Sequence, residues 1–383
     1  MEPLTIAVPD AVLDDLTTRL ARTRWPDALP GTGWDYGVDL GYLRELATYW
    51  EHAFDWRARE AALNRWPHYL AGTDCGRIHF VLEPGKGPDP VPLLLLHGWP
   101  SSYVQMLKII PPLTDPAAHG GDAAESFTVV AASLPGYGFS DRPTAPGMSV
   151  ARMASCFHTL MTEVLGFQRY AVRGSDLGAG VVSQLGLSHP EALIGIHTGG
   201  TNPWLGEVPD DLSEAEREFV ANAQRWARDE MAYAMEQTTK PQTLAYGLND
   251  SPVGLAAWIV EKFRRWSDCD GDVERSFTKD ELLTNLTIYW VTGTINSSIR
   301  LYYESARDPG RWGRADVPTA YAMPPKDMFP TPREWVARSS RVDRWTELPA
   351  GGHFPEWEVP EALAADIRAF FSDLRTPGPG TDG

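Results

Sequence analysis

The chain has 383 residues, a formal net charge of -17 and a hydrophobic fraction of 43%. This length exceeds that of a typical single domain, and the apolar content suffices for a sizeable core. The acidic balance argues against nucleic acid as a partner, because nucleic-acid phosphates would be repelled.

The amino terminus carries acids where a signal peptide needs basic residues, and no stretch reaches the ~20 apolar residues that cross a bilayer. Three cysteines, Cys75, Cys156 and Cys269, are odd in number and widely spaced. This usage fits a reducing compartment and matches no metal-ligand spacing. We therefore expect a cytoplasmic protein with no membrane anchor.

Residues 1–75 are predicted to form a separate helical segment. Asp10 is a candidate N-cap for a first helix that ends at Trp25-Pro26. A second helix is predicted from near Leu40 towards Asn64. Residues 75–82 then alternate polar and apolar, which predicts an early antiparallel strand.

Residues 76–201 alternate apolar strand-like segments with helical patterns. This alternation predicts an α/β fold with a mostly parallel central sheet and helices on both faces. In such folds ligands bind beyond the carboxyl ends of the strands. The predicted strands are Leu93–Leu96, Phe127–Leu134, Tyr170–Arg173 and Ile194–Thr198.

The pattern changes at residues 202–303 to helices rich in charged and aromatic residues, which is typical of a lid inserted into the core. The α/β pattern resumes over residues 304–375, with a strand near Thr319–Met323 and a last helix over Pro360–Phe371. Residues 376–383 are rich in proline and glycine, and we expect a disordered tail.

The sequence GSDLG at 174–178 has the layout of a nucleophile elbow, in which a strand turns sharply into a helix. Small residues flank the central position, so that the backbone can pass closely. Ser175 is the rival nucleophile, but an elbow centred on it would put Arg173 and Leu177 at the small positions. Spacing therefore favours Asp176, whose carboxylate would leave an ester on the enzyme after attacking carbon.

An aspartyl ester needs a base that activates water, and His353 lies on a glycine turn just before the last helix. Asp327, just beyond the 319–323 strand, is the candidate acid that holds this histidine. Asp316 precedes that strand and should lie at the opposite edge. The backbone N–H groups of Trp99 and Leu177 are the candidate oxyanion donors.

Four core motifs carry a family resemblance: HGWP at 97–100, PGYGFSD at 135–141, GSDLG at 174–178 and GGHF at 351–354. Residues 50–82 in the amino-terminal segment and 248–263 and 289–305 in the lid add to it. Over nearly its whole length the chain resembles the microsomal-type epoxide hydrolases of the α/β-hydrolase superfamily. Membrane-anchored members carry an amino-terminal hydrophobic segment that this sequence lacks.

The resemblance implies that two lid tyrosines hydrogen-bond the epoxide oxygen. The matching positions are Tyr233, eight residues before a proline, and Tyr302, in a Ser-x-Arg-x-Tyr register that favours it over Tyr303. Glu236 and Gln237 lie one helical turn after Tyr233 and are expected to line the substrate pocket.

The expected activity is hydrolysis of an apolar or aromatic epoxide to a vicinal diol, with water as co-substrate and without cofactor or metal. The biological role is either detoxification or natural-product biosynthesis, and a homodimer is possible. A haloalkane dehalogenase shares the aspartate and histidine, but it often has a tryptophan where Leu177 stands. A binder of hydrophobic ligands without catalysis is the other alternative.

Overall fold

The structure is a computed structural model, and it describes residues 1–200 and 207–375. Its centre is one mixed sheet of nine strands, which lie in the order β1-β2-β3-β5-β4-β6-β7-β8-β9. The strands are Glu2–Leu4 (β1), His68–Thr73 (β2), Gly76–Glu83 (β3), Val91–Leu96 (β4), Phe127–Ala132 (β5), Tyr170–Ser175 (β6), Leu193–Gly199 (β7), Thr319–Met323 (β8) and Arg344–Glu347 (β9).

The sheet is parallel from β5 through β4, β6, β7 and β8 to β9, and antiparallel from β1 to β3 and on to β5. Leu93–Leu96 in β4 and Val129–Ala132 in β5 are completely buried. Continuous apolar strands of this kind are expected where helices cover both faces of a parallel sheet. The predicted α/β-hydrolase architecture is confirmed.

Helices flank the sheet and fill the long connection between β7 and β8. They are Asp10–Ala21 (α1), Leu40–His52 (α2), Trp56–Leu63 (α3), Ile110–Thr114 (α4), Val150–Thr159 (α5), Leu177–Ser188 (α6), Glu214–Glu230 (α7), Ala232–Thr239 (α8), Pro241–Asp250 (α9), Pro252–Trp266 (α10), Lys279–Thr292 (α11), Ile295–Arg307 (α12), Arg333–Ala337 (α13), Pro355–Glu358 (α14) and Pro360–Arg375 (α15). Within residues 1–200 and 207–375, none of them is long and apolar enough to span a membrane.

Helices α7–α12 occupy the segment predicted to be a lid, and two of them contact the loops that follow β4 and β5. The Tyr289 hydroxyl donates to the Ser101 carbonyl at 2.8 Å, and the Tyr137 hydroxyl donates to the Ser298 carbonyl at 3.1 Å. These contacts place α11 and α12 beyond the carboxyl ends of the strands. The start of the predicted lid and the predicted tail, residues 376–383, lie outside the described residues.

The amino-terminal segment differs from its prediction in three ways. The single helix expected from Leu40 to Asn64 is two helices, because the Asp55 carboxylate caps α3 by accepting from the Ala58 N–H at 3.0 Å. Asp10 begins α1 but is not its cap. Strands β1 and β2 also lie within residues 1–75, so this segment extends the central sheet as well as adding helices.

Two of the three cysteines form a pair that their spacing did not indicate. Cys75, directly before β3, and Cys156, in α5, are joined in a disulfide with their Cα atoms 6.0 Å apart. The sequence analysis predicted no pairing for these two cysteines, and Cys269 is a buried free thiol. Asp74 lies beside the pair, and these three residues are grouped closely enough to hold a metal only if the sulfurs are not joined.

Candidate active site

Asp176 lies in a sharp turn between β6 and α6. Its φ angle is +52°, in the left-handed region that residues other than glycine rarely adopt. A Cβ atom at Gly98 would lie 2.3 Å from the Cβ of Asp176, and one at Gly178 would lie 2.4 Å from the Leu96 carbonyl oxygen. The Asp176 turn packs so closely against β4 and the turn after it that glycine is required at both places, and Gly178 is one of the small positions of a nucleophile elbow.

Ser175, the rival nucleophile, points away from this turn into the core. It is buried, and its hydroxyl donates to Oε1 of Glu356 at 3.3 Å. The same carboxylate oxygen accepts from Arg173 Nη2 at 2.9 Å. The geometry thus favours Asp176 over Ser175, in agreement with the spacing of the glycines.

The structure brings the predicted histidine and acid to Asp176. His353 Nε2 lies 3.2 Å from Oδ2 of Asp176, and His353 Nδ1 lies 2.8 Å from Oδ1 of Asp327. Asp316, by contrast, is exposed and paired with Arg341. The three side chains have the geometry of a nucleophile, a base and an acid that orients the base.

The pKa of His353 reflects two opposing influences. Burial of the imidazole acts to lower the pKa, but the neighbouring carboxylates of Asp327 and Asp176 outweigh burial and raise it to about 10. At neutral pH the ring is therefore an imidazolium between two carboxylates.

A second carboxylate, which sequence reasoning missed, holds the histidine loop. Glu358 Oε2 accepts from the N–H groups of Asp268 at 2.7 Å and Gly352 at 3.0 Å, and Oε1 accepts from the Phe354 N–H at 3.0 Å. The His353 N–H itself donates to the Trp266 carbonyl at 2.8 Å. These bonds tie both sides of His353 to the end of α10 and its following loop.

The predicted oxyanion donors lie next to Asp176. The Trp99 N–H donates to Oδ1 of Asp176 at 2.8 Å. Leu177 is the first residue of α6, so its N–H belongs to the helix turn that has no intrahelical acceptor.

His97 lies in the turn that carries Trp99. Burial lowers the pKa of His97 to about 4, and its Nε2 accepts from the Leu134 N–H at 3.2 Å. His97 thus anchors the turn as a neutral ring.

Tyr233 of α8 and Tyr302 of α12 face each other, with ring centroids 6.2 Å apart. Trp99 stacks on the Tyr233 ring at 5.3 Å and meets the Tyr302 ring edge-on at 6.1 Å. Burial raises the pKa of both phenols well above its ordinary value, so both keep their protons at neutral pH. Tyr303 instead lies under the guanidinium of Arg307, which supports the Tyr302 register.

The two predicted pocket residues differ in burial. Glu236 is half-buried, whereas Gln237 is completely buried and its Oε1 accepts from Trp258 Nε1 at 3.1 Å. The Gln237 Nε2 has no hydrogen-bond partner among the residues that the structure describes. Their role at the substrate stays a prediction.

A buried ion pair behind the elbow also escaped prediction. Arg173 and Glu356 are completely buried and bonded to each other, and Oε2 of Glu356 accepts from Gln105 Nε2 at 2.6 Å. Gln105 contacts Ser101, whose hydroxyl donates to the Gly98 carbonyl at 3.0 Å. The pair therefore links the strand before the nucleophile to the turn that carries Trp99.

The sheet order, the elbow and the acid–histidine pair define an α/β-hydrolase. Two family profiles match the chain: "Epoxide hydrolase N terminus" over residues 1–106 and "alpha/beta hydrolase fold" over residues 91–265. A Stigmatella aurantiaca protein assigned to the epoxide hydrolases is 42% identical over 375 residues, which cover 97% of this chain and 85% of that protein. Rabbit epoxide hydrolase 1 is 35% identical, with 97% and 88% covered.

Solved structures give the same result. The crystal structure of juvenile hormone epoxide hydrolase from Bombyx mori superposes with a TM-score of 0.85 at 32% identity, covering 98% of this chain and 94% of that one. Aspergillus niger epoxide hydrolase also has a TM-score of 0.85, at 29% identity, with 97% and 96% covered. The chain belongs to the epoxide hydrolase family.

Proposed function

We propose that this protein hydrolyses an apolar or aromatic epoxide to a vicinal diol through an ester on Asp176. Its homologues named epoxide hydrolases support the reaction. The observation that carries the mechanism is the contact of the Asp176 carboxylate with His353 at 3.2 Å, in a site where two protonated phenols lie around Trp99.

In the first step a carboxylate oxygen of Asp176 attacks an epoxide carbon, and the C–O bond of the ring breaks. The electron pair moves to the ring oxygen, which accepts a hydrogen bond and then a proton from the phenols of Tyr233 and Tyr302. Oδ1 is held by the Trp99 N–H. We therefore assign Oδ2 as the attacking atom and Oδ1 as the future ester carbonyl oxygen.

In the second step water cleaves the ester. Esterification removes the negative charge of Asp176, which is one of the two charges that raise the pKa of His353. The imidazolium can then release its proton, which restores the tyrosinate to a phenol, and His353 becomes a base for water while Asp327 keeps the ring oriented. Water attacks the carbonyl carbon, and the N–H groups of Trp99 and Leu177 stabilise the oxyanion on Oδ1. The acyl C–O bond breaks, one proton of water passes through His353 to the departing alkoxide, and the other returns His353 to the imidazolium form.

A single turnover in ¹⁸O-labelled water tests this route. Enzyme in excess over styrene oxide is quenched after one turnover, and both the diol and the peptide that contains Asp176 are analysed by mass spectrometry. We expect the label in Asp176 and an unlabelled diol, with no label in enzyme incubated without epoxide. Label that enters the diol directly would exclude the ester.

One observation favours dehalogenation as a second candidate activity. The buried indole N–H groups of Trp99 and Trp266 have no hydrogen-bond partner among the described residues, and their rings lie 6.2 Å apart. Such donors near an aspartate nucleophile suit a departing halide. Chloride release from 1-chlorohexane that depends on Asp176 would establish this activity, and its absence would leave only the epoxide reaction.

The cellular role, a cytoplasmic location and a homodimer stay predictions from the sequence. The argument for a reducing compartment is weakened by the disulfide between Cys75 and Cys156, because such bonds are rare in the cytosol. Non-reducing peptide mapping of the protein purified from its own cells would show whether Cys75 and Cys156 are joined there. A reduced pair would support the cytoplasmic prediction.

A further inference from the structure

Lys262 is a buried lysine in α10 that no sequence motif singles out. Only 9% of its side chain is exposed, and its Nζ lies 4.9 Å from the centroid of the Tyr233 ring and 5.9 Å from that of Trp266. Glu261 is in direct contact with the ammonium, and Oε2 of Glu230 lies 3.9 Å away. A buried ammonium is costly unless it is paired, and these carboxylates supply the pairing.

We propose that Lys262, through its ammonium over the phenol ring, makes Tyr233 the member of the tyrosine pair that gives up its proton during epoxide opening. Lys262 is a positioning residue in this account, because it acts on Tyr233 and does not touch the substrate. The inference rests on the proposed function, in which the tyrosines protonate the ring oxygen.

The physical basis is the change of charge on the ring. A cation over a phenol is attracted by the π face, and this attraction increases as the ring takes on the negative charge of a tyrosinate. The interaction is therefore stronger in the transition state than in the ground state, which is the condition for acceleration. Lys262 also offsets Glu230 and Glu261, whose charges oppose ionisation of Tyr233.

The geometry distinguishes the two tyrosines. The ammonium lies over the ring of Tyr233, whereas Tyr302 meets the Tyr233 ring edge-on at a centroid distance of 6.2 Å. The cation therefore acts most directly on Tyr233, which assigns this residue as the proton donor.

A double-mutant cycle on the alkylation step tests the proposal. Lys262→Met removes the charge and keeps the chain length, Lys262→Arg keeps the charge, and each is made with Tyr233 intact and with Tyr233→Phe. Excess enzyme is mixed with styrene oxide, and the rate constants for ester formation and ester hydrolysis are measured separately by rapid quench and mass spectrometry of the Asp176 peptide.

With Tyr233 intact, we expect Lys262→Met to slow ester formation about tenfold. In the Tyr233→Phe background the same change should have little effect, since phenylalanine cannot ionise. Ester hydrolysis should be unchanged, and Lys262→Arg should restore most of the rate. Lys240→Met, at an exposed lid lysine, is the matched control and should leave both steps unchanged.

If Lys262→Met slows ester formation equally with Tyr233 intact and with Tyr233→Phe, the proposal is overturned, because Lys262 would then act through lid packing. Unchanged ester formation in Lys262→Met would also overturn it. Lys262→Gln is measured in parallel as a second neutral side chain, and thermal unfolding shows which variants are folded. An unaffected rate of ester formation in Tyr233→Phe would also overturn the proposal, whereas the absence of an Asp176 ester in the wild type would refute the proposed function, so the two failures are distinct.

Discussion

The charge of Asp176 should control whether His353 is an acid or a base, and Asp176→Asn isolates that effect. The ring of His353 is buried, yet its pKa is raised to about 10 by Asp327 and Asp176, whose oxygens lie 2.8 and 3.2 Å from the two ring nitrogens. An opposite charge at such a distance changes a pKa by about 1 to 3. Asparagine keeps the shape and removes the charge, as an ester does, so the pKa of His353 should fall by about 1 to 3, or about 1.4 to 4 kcal/mol.

The measurement is an NMR titration of the imidazole resonances in the wild type and in Asp176→Asn. The chain has nine histidines, and the resonance that disappears in His353→Gln identifies the relevant one. Asp316→Asn is the matched control, because Asp316 is exposed and paired with Arg341. If the pKa of His353 is the same in Asp176→Asn as in the wild type, the charge of Asp176 does not set the protonation of His353. The proposal that ester formation turns His353 into a base is then refuted.

Three further predictions concern the framework of the site. Gly98→Ala should abolish ester formation without unfolding the protein, because its Cβ would lie 2.3 Å from that of Asp176; a normal single-turnover rate would contradict this. Arg173→Met should cost about 3 to 5 kcal/mol in urea unfolding, because it leaves the Glu356 carboxylate buried without its ion partner. The double variant Arg173→Met/Glu356→Gln should recover part of that loss. Equal free energies of unfolding for the single and double variants would argue against a stabilising ion pair. Replacing Cys75 and Cys156 together with alanine should lower the free energy of unfolding by about 4 kcal/mol, since their disulfide closes a loop with a sequence separation of 81; an unchanged urea midpoint in oxidised protein would show that the bond is not formed.

The parts of the site that were predictable from the sequence depend on local patterns. β4 and β6 are short apolar runs that end in distinctive turns, and Gly174 and Gly178 around Asp176 are required by close contacts with backbone atoms. His353 and Asp327 follow from the order of elements along the chain. β9 escaped prediction because it has only four residues and is not fully buried.

Pairings between distant residues were not predictable, because a single sequence does not show which side chains meet. Arg173 and Glu356 are 183 positions apart, and nothing in either neighbourhood marks the partner. The same holds for Cys75 and Cys156. Lys262 lies in a helix that also carries exposed charges, so its burial over Tyr233 depends on how α8 and α10 pack.

Trp99 contacts both halves of the proposed chemistry and therefore sets their relative position. Its N–H holds Oδ1 of Asp176 at 2.8 Å, while its ring stacks on Tyr233 and meets Tyr302 edge-on. In-line opening of an epoxide needs the nucleophile on one side of a carbon and the proton donors at the oxygen beyond it. Trp99 holds the carboxylate through its backbone and the phenols through its ring, so one residue fixes that separation. The buried ion pair of Arg173 and Glu356 is linked through Gln105 and Ser101 to the turn that carries Trp99. The alignment of the reacting groups thus depends on contacts that extend from the lid to the interior of the sheet.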